Sequence, residues 1–137
     1  MSSAACGADL LALHAAGELG IRRYIVLPFD RRRFRETSVT DRPGGDDRWG
    51  PLFDHILDDV PEDDITTLGE TGNGDGAYRA TNACALQQAQ TLADERGTRA
   101  AAIVVWEGAA NGAGDLTASF VEAARDLGID VYEILTR

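Results

Sequence analysis

The stretch "RAAAIVVWEG" (Arg99 to Gly108) constrains the fold more than any other part of the chain. It is a nearly unbroken apolar run between a charged residue and a glycine. Such runs read as strands buried on both faces, the habit of parallel sheets covered by helices. The rest of the sequence agrees. Four helical patterns alternate with four strand patterns. That alternation predicts an α/β fold: a Rossmann-like, doubly wound parallel sheet with helices on both faces.

The first helix is expected from about Leu10 to Leu19, with Asp9 near its start and Gly20 as its stop. "RRYIVLPF" (Arg22 to Phe29) reads as a buried strand. The arginine-rich stretch after it reads as a crossing over the sheet edge, with one short helical turn around Phe34. Leu52, Phe53, Ile56, Leu57 and Val60 then recur at helical spacing. "DITTLGE" (Asp64 to Glu70) is the next strand, and an alanine-rich helix is expected from about Tyr78 to Glu95. After the apolar strand, Leu116, Phe120, Ala124 and Leu127 mark a last helix. Asp115 is its expected N-cap and Gly128 its stop. "DVYEILT" closes the chain as a strand.

A length of 137 residues is ordinary for one domain, and residues 1–137 are read as a single Rossmann-like α/β domain. No run approaches the roughly 18 apolar residues that a membrane helix needs. No charged lead precedes an apolar stretch, so no secretory signal is read. Cys6 and Cys84 lie far apart and share no metal-ligand spacing, which fits a reducing cytoplasm and no metal. No cofactor is implied. The net charge is −10, and every basic residue is arginine. So acidic a chain is a poor generic nucleic-acid binder, because phosphate neutralisation supplies most of that affinity. It can still hold a small phosphate-bearing ligand through local backbone N–H groups.

The first helix should follow a strand, yet only "MSSAAC" stands ahead of it. Those residues supply two or three ladder pairs at most. A half-filled sheet centre leaves costly unpaired backbone groups. A very short first strand, a start lying further upstream, or self-association as a homo-oligomer is therefore expected.

Ligands of parallel sheets bind at the carboxyl ends of the strands. Several motifs fall there. "AACGAD" (Ala4 to Asp9) places Cys6, Gly7, Ala8 and Asp9 where a backbone can approach a phosphate at a helix N-terminus. The bland alternative is a tight turn with Asp9 as a cap. "WEGAANGAGDLT" places Gly112, Gly114, Asp115 and Thr117 in a second small-residue loop. Glu107, at its strand end, suits a ribose hydroxyl or acid/base chemistry. "LPFDRRRFRE" brings Phe29 and four arginines, among them Arg35, to a third strand end. Such an island either grips a phosphate or is a solvated charge run. Tyr78 and Asn82 share one helical face.

Taken together, "ACGADLLALHAAGELGI", "IVLPFD…F…SV", "Y…N" and "VVWEG…GAGDLTASFVEAARDLGI" resemble a group of bacterial Rossmann-like domains. That resemblance places the group within or beside the SLOG superfamily, which is similar in architecture to the LOG nucleotide phosphoribohydrolases and the TIR-like and DNA-processing Rossmannoids. The resemblance covers almost the whole chain. It implies a nucleotide-derived ligand held by Cys6 to Asp9 in one loop and by Gly112, Gly114, Asp115 and Thr117 in the other. The "PGGxGTxxE" loop of LOG enzymes is not matched, and Phe120 stands where its glutamate would be. The expected function is a nucleotide-binding or nucleotide-sensing module. The rivals are an N-glycosidase or deoxyribosyltransferase-like enzyme using Glu107, and an interaction scaffold with a vestigial cleft.

Overall fold

The computed structural model describes residues 1–41, 45–71, 74–108 and 116–136. They form a mixed α/β chain whose sheets are small and parallel. The chain divides into two compact units, Met1–Thr71 and Gly72–Arg137.

In the first unit, α1 (Ala8–Glu18) follows directly on the small-residue turn. Its buried residues, Leu10 and Leu13, are three apart and share one face. The chain leaves α1 through Leu19 and Gly20, as the glycine stop predicts. β1 (Ile25–Leu27) is buried at every position, so its apolar run does lack an exposed face. It pairs in parallel with β2 (Ile65–Thr67), in the register Ile25 to Ile65 and Leu27 to Thr67.

The lead ahead of α1 is one parallel bridge, Ser2 to Ile25. The Ser2 N–H donates to the Tyr24 carbonyl at 3.0 Å, and the Val26 N–H donates to the Ser2 carbonyl at 3.0 Å. The first strand is thus as short as its few small residues led one to expect.

Two helices lie between β1 and β2. The arginine-rich stretch is a full helix, α2 (Arg31–Ser38), rather than a single turn. Asp30 caps it, its carboxylate accepting from the Arg33 N–H at 3.0 Å. Phe34 and Ser38, one turn apart, are its buried face. A π-helical turn (Gly45–Trp49) leads into α3 (Gly50–Asp59), which carries a proline in its first turn. Phe53, Ile56 and Leu57 bury the α3 face at the expected i, i+3, i+4 spacing. The core of this unit is a short aromatic row. Phe34 lies 6.2 Å from Phe29 and 6.0 Å from Phe53, centroid to centroid.

The second unit opens with α4 (Asp75–Glu95), which begins three residues earlier than its sequence pattern suggests. β3 (Ala101–Trp106) and β4 (Asp130–Leu135) pair in parallel, Ala101 with Asp130 and Trp106 with Leu135. α5 (Leu116–Asp126) connects them. Leu86 of α4, Ala124 of α5, Ala102 of β3 and Ile129 form the core.

One expectation is corrected here. β3 was expected to be buried on both faces, but its burial alternates. Ala102 and Val104 are buried, while Ile103 is 69% and Val105 41% exposed. Tyr132 and Ile134, cross-strand partners of Ile103 and Val105, are exposed with them. An unbroken apolar run carries no record of which face is covered, so the sequence alone does not separate the two cases. No described helix is long and apolar enough to cross a membrane.

Candidate functional site

The site begins at Gly7. Its backbone sits at φ 96°, ψ −129°, a region that L side chains rarely adopt, and a Cβ there would meet nothing within 4 Å. Gly7 is the N-cap of α1 and offers no side-chain hydrogen bond to the helix. The first N–H groups of a helix have no partner within it. Here they begin at Ala8 and Asp9, beside an open turn. The helix dipole adds partial positive charge at the same place.

Asp9 is held from its own loop. Its carboxylate accepts from Ser3 Oγ at 2.6 Å, and from the Ala5 backbone and the Ser2 side chain. Withdrawal from water pushes the Asp9 carboxyl above its ordinary range, against the pull of those three hydrogen bonds. The turn is also tied to α2, because the Cys6 N–H donates to the Ser38 carbonyl at 3.0 Å. The Cys6 thiol is free and half-buried. "AACGAD" is therefore both a tight, internally bonded turn and an open helix N-terminus. Ser3 and Ser38 were not singled out by sequence reasoning. The only signal for them is a short hydroxyl six residues before an aspartate, and a serine one residue beyond the helical turn expected at Phe34.

The loop after β1 takes a different part. Phe29 is 2% exposed and belongs to the aromatic row. The arginine island is mostly committed to neighbours. Arg35 grips Asp54 with two hydrogen bonds, Nε to Oδ1 and Nη2 to Oδ2, each 3.0 Å. Arg31 pairs with Asp58 at 2.9 Å, and Arg32 with Glu36 one turn on. Arg33 stacks 4.3 Å over the Phe29 ring and donates to the Thr71 carbonyl at 3.3 Å. The island thus fastens α2 to α3 and to the loop after β2. Buried Asp64 is fastened in the same way. Two hydrogen bonds from Arg22, at 2.8 and 3.1 Å, hold its carboxyl below the ordinary range.

In the second unit, Glu107 is exposed immediately beyond β3, and Thr117 is half-buried in the first turn of α5. Asn82 is half-buried on α4, one turn after Tyr78. Gly112, Gly114 and Asp115 lie outside the described residues. At the carboxyl end of β3 the Trp106 indole donates to Glu133 Oε2 at 3.0 Å. Arg125 holds the other oxygen of Glu133 at 2.8 Å. Sequence reasoning missed this network, since nothing in the linear order links Trp106 to Glu133 before the β3–β4 register is known.

Cys84, on α4, accepts a hydrogen bond from Gln88 Nε2 at 3.3 Å and is a free thiol. Among the described residues, no group of three or more His, Cys, Asp or Glu side chains is placed to hold a metal ion. No family model, no curated protein and no solved structure matches the chain.

Proposed function

We propose that this chain is a binding module for a small phosphate-bearing, nucleotide-type ligand, seated at the Gly7 turn. The observation that carries the reading is the open N-terminus of α1. A glycine in a backbone conformation closed to other residues leaves its surface bare. Helix N–H groups without side-chain caps lie directly behind it. Helix N-termini of this form favour anions by hydrogen bonding and by the dipole together. The parallel pairing of Ser2, β1 and β2 supports the same reading, because such edges are where ligands of α/β sheets bind.

The proposal extends to the finer features that the sequence suggests. They are a doubly wound Rossmann-like order, kinship with the SLOG-like group, work in the cytoplasm and self-association. The −10 charge argues that the ligand is small, with nucleic acid excluded by repulsion.

Thermal melting of the chain with AMP, NAD and unphosphorylated deoxynucleosides tests the reading. AMP or NAD should raise the melting temperature, the deoxynucleosides should not, and Gly7→Val should remove the effect. Ligand at about a hundred times its Kd stabilises by about 2.7 kcal/mol, well within reach of the measurement. No shift with any phosphate-bearing compound would refute it. A cleavage reading is favoured by one observation only, the raised carboxyl of Asp9, which suits a proton donor. Chromatography of the same mixtures would then show free base, and Asp9→Asn would abolish its release.

A further inference from the structure

A groove of about 550 Å³ is lined by Leu27 of β1, by Ile65 and Thr67 of β2, and by the end of α3 and the turn after it. Leu27, Leu57, Val60 and Ile65 are its aliphatic lining, and Asp58, Asp59 and Glu62 outnumber one cation, Arg31, among its charged residues. It lies wholly within the first unit. Its position and chemistry are independent of the Gly7 turn.

The strand beside it has a free side. Among the described residues β2 pairs with β1 alone. The Leu68 N–H donates to the Leu27 carbonyl at 2.9 Å, toward β1. Backbone groups of successive residues in a strand point to opposite edges. Thr67 therefore turns its N–H and C=O away from β1, and so does the Ile65 carbonyl. The Ile65 N–H is spent on the Glu62 carbonyl. Ile65 and Thr67 both line the groove. A side-chain recess and a row of unused main-chain groups thus coincide. That is what strand addition requires: main-chain hydrogen bonds for affinity and a pocket for selectivity.

The charge selects the occupant. α3 ends in Asp58 and Asp59, with no basic residue in its last turn. Acids there oppose the helix dipole, since the terminal carbonyls already carry negative partial charge. Arg31 offsets Asp58 and Arg23 offsets Asp59. Exposed Glu62 has no cation within salt-bridge range among the described residues, and exposed Asp63 stands beside it.

We propose that this groove docks an extended, basic segment of a partner polypeptide. The segment adds as a strand beside β2, bonded to the Thr67 N–H and to the Ile65 and Thr67 carbonyls. The stem of an arginine or lysine lies on Leu57, Val60 and Ile65, and its charged head reaches Glu62 and the end of α3. Long basic side chains divide themselves between apolar and polar surroundings in this way.

Fluorescence anisotropy of the full chain with two dye-labelled peptides, one alternating Val and Arg and one alternating Val and Glu, tests this. The basic peptide should bind, and binding should weaken with added salt. The acidic peptide should bind at least about tenfold more weakly. Glu62→Arg and Thr67→Pro should each weaken the basic peptide about tenfold, the loss expected for one charge-assisted or main-chain hydrogen bond. Both positions are exposed, and proline is tolerated on an edge strand where its N–H would face outward. Unchanged circular dichroism and melting would show that the variants fold. Equal binding of the two peptides would overturn the proposal. So would wild-type affinity in a folded variant, or displacement of the peptide by spermidine at equal concentration, which would indicate a cation site without strand addition.

Discussion

At Gly7 two requirements meet in one residue. The turn needs a backbone at φ 96°, and the surface above it has to stay open. Because a Cβ meets nothing there, the cost of Gly7→Ala is purely conformational. It should be about 1–3 kcal/mol, read as a lower urea midpoint with an unchanged slope. A neutral Gly7→Ala would mean that the turn adopts another conformation. Asp9 makes a pH prediction. Its folded carboxyl titrates above its ordinary value of 3.8, so the folded state binds the proton more tightly than the unfolded state does. The associated stability is fully present below pH 3.8 and is lost as pH rises through the raised folded value. Asp9→Asn cannot ionise. Urea unfolding should therefore show the variant gaining on the wild type as pH rises from 3.8 through the raised folded value. A difference independent of pH would contradict the burial of Asp9. Asp64 has the opposite sign. Its lowered carboxyl contributes stability above pH 3.8 that is lost as pH falls through the folded value.

At the scale of elements, Phe34 is the best single probe. It joins α2 to the loop after β1 and to α3, touching Phe29 and Phe53 with 1% of its surface exposed. Phe34→Ala should cost about 3–5 kcal/mol, measured by denaturant unfolding. A loss under about 1 kcal/mol would mean that the aromatic row is not a packed core. The same helix shows what the sequence does and does not carry. α1, α3, α4 and α5 were legible because apolar residues recur at helical spacing or because a glycine marks the stop. In α2 the pattern is faint: six of its eight residues are charged or threonine, and Phe34 is its one large apolar side chain. Its helix rests on the Asp30 cap and on ion pairs to α3, which are tertiary facts. The strands were legible as apolar runs, but their lengths were not. "RRYIVLPF" yields only three paired residues, because pairing stops where the partner strand does. The candidate site divides in the same way. The Cys6–Asp9 turn was legible from small residues before a helix, whereas the role of Arg35 follows from Asp54, nineteen residues on, and that of Phe29 from the ring packing of α2.

At the scale of the molecule, each unit has a small parallel sheet and a core of its own. Among the described residues, most of the arginines are paired with the chain's own carboxylates. On the proposed reading the anion is held by backbone N–H groups, and the uncapped α1 N-terminus behind Gly7 offers them. The most direct measurement is an amide-resolved NMR titration of the isotope-labelled chain with AMP. The prediction is saturable shifts concentrated at the Gly7, Ala8, Asp9 and Leu10 amides and absent with the corresponding nucleoside. Shifts absent from the α1 N-terminus at saturating AMP, or equal shifts with the nucleoside, would contradict a phosphate-binding turn at Gly7.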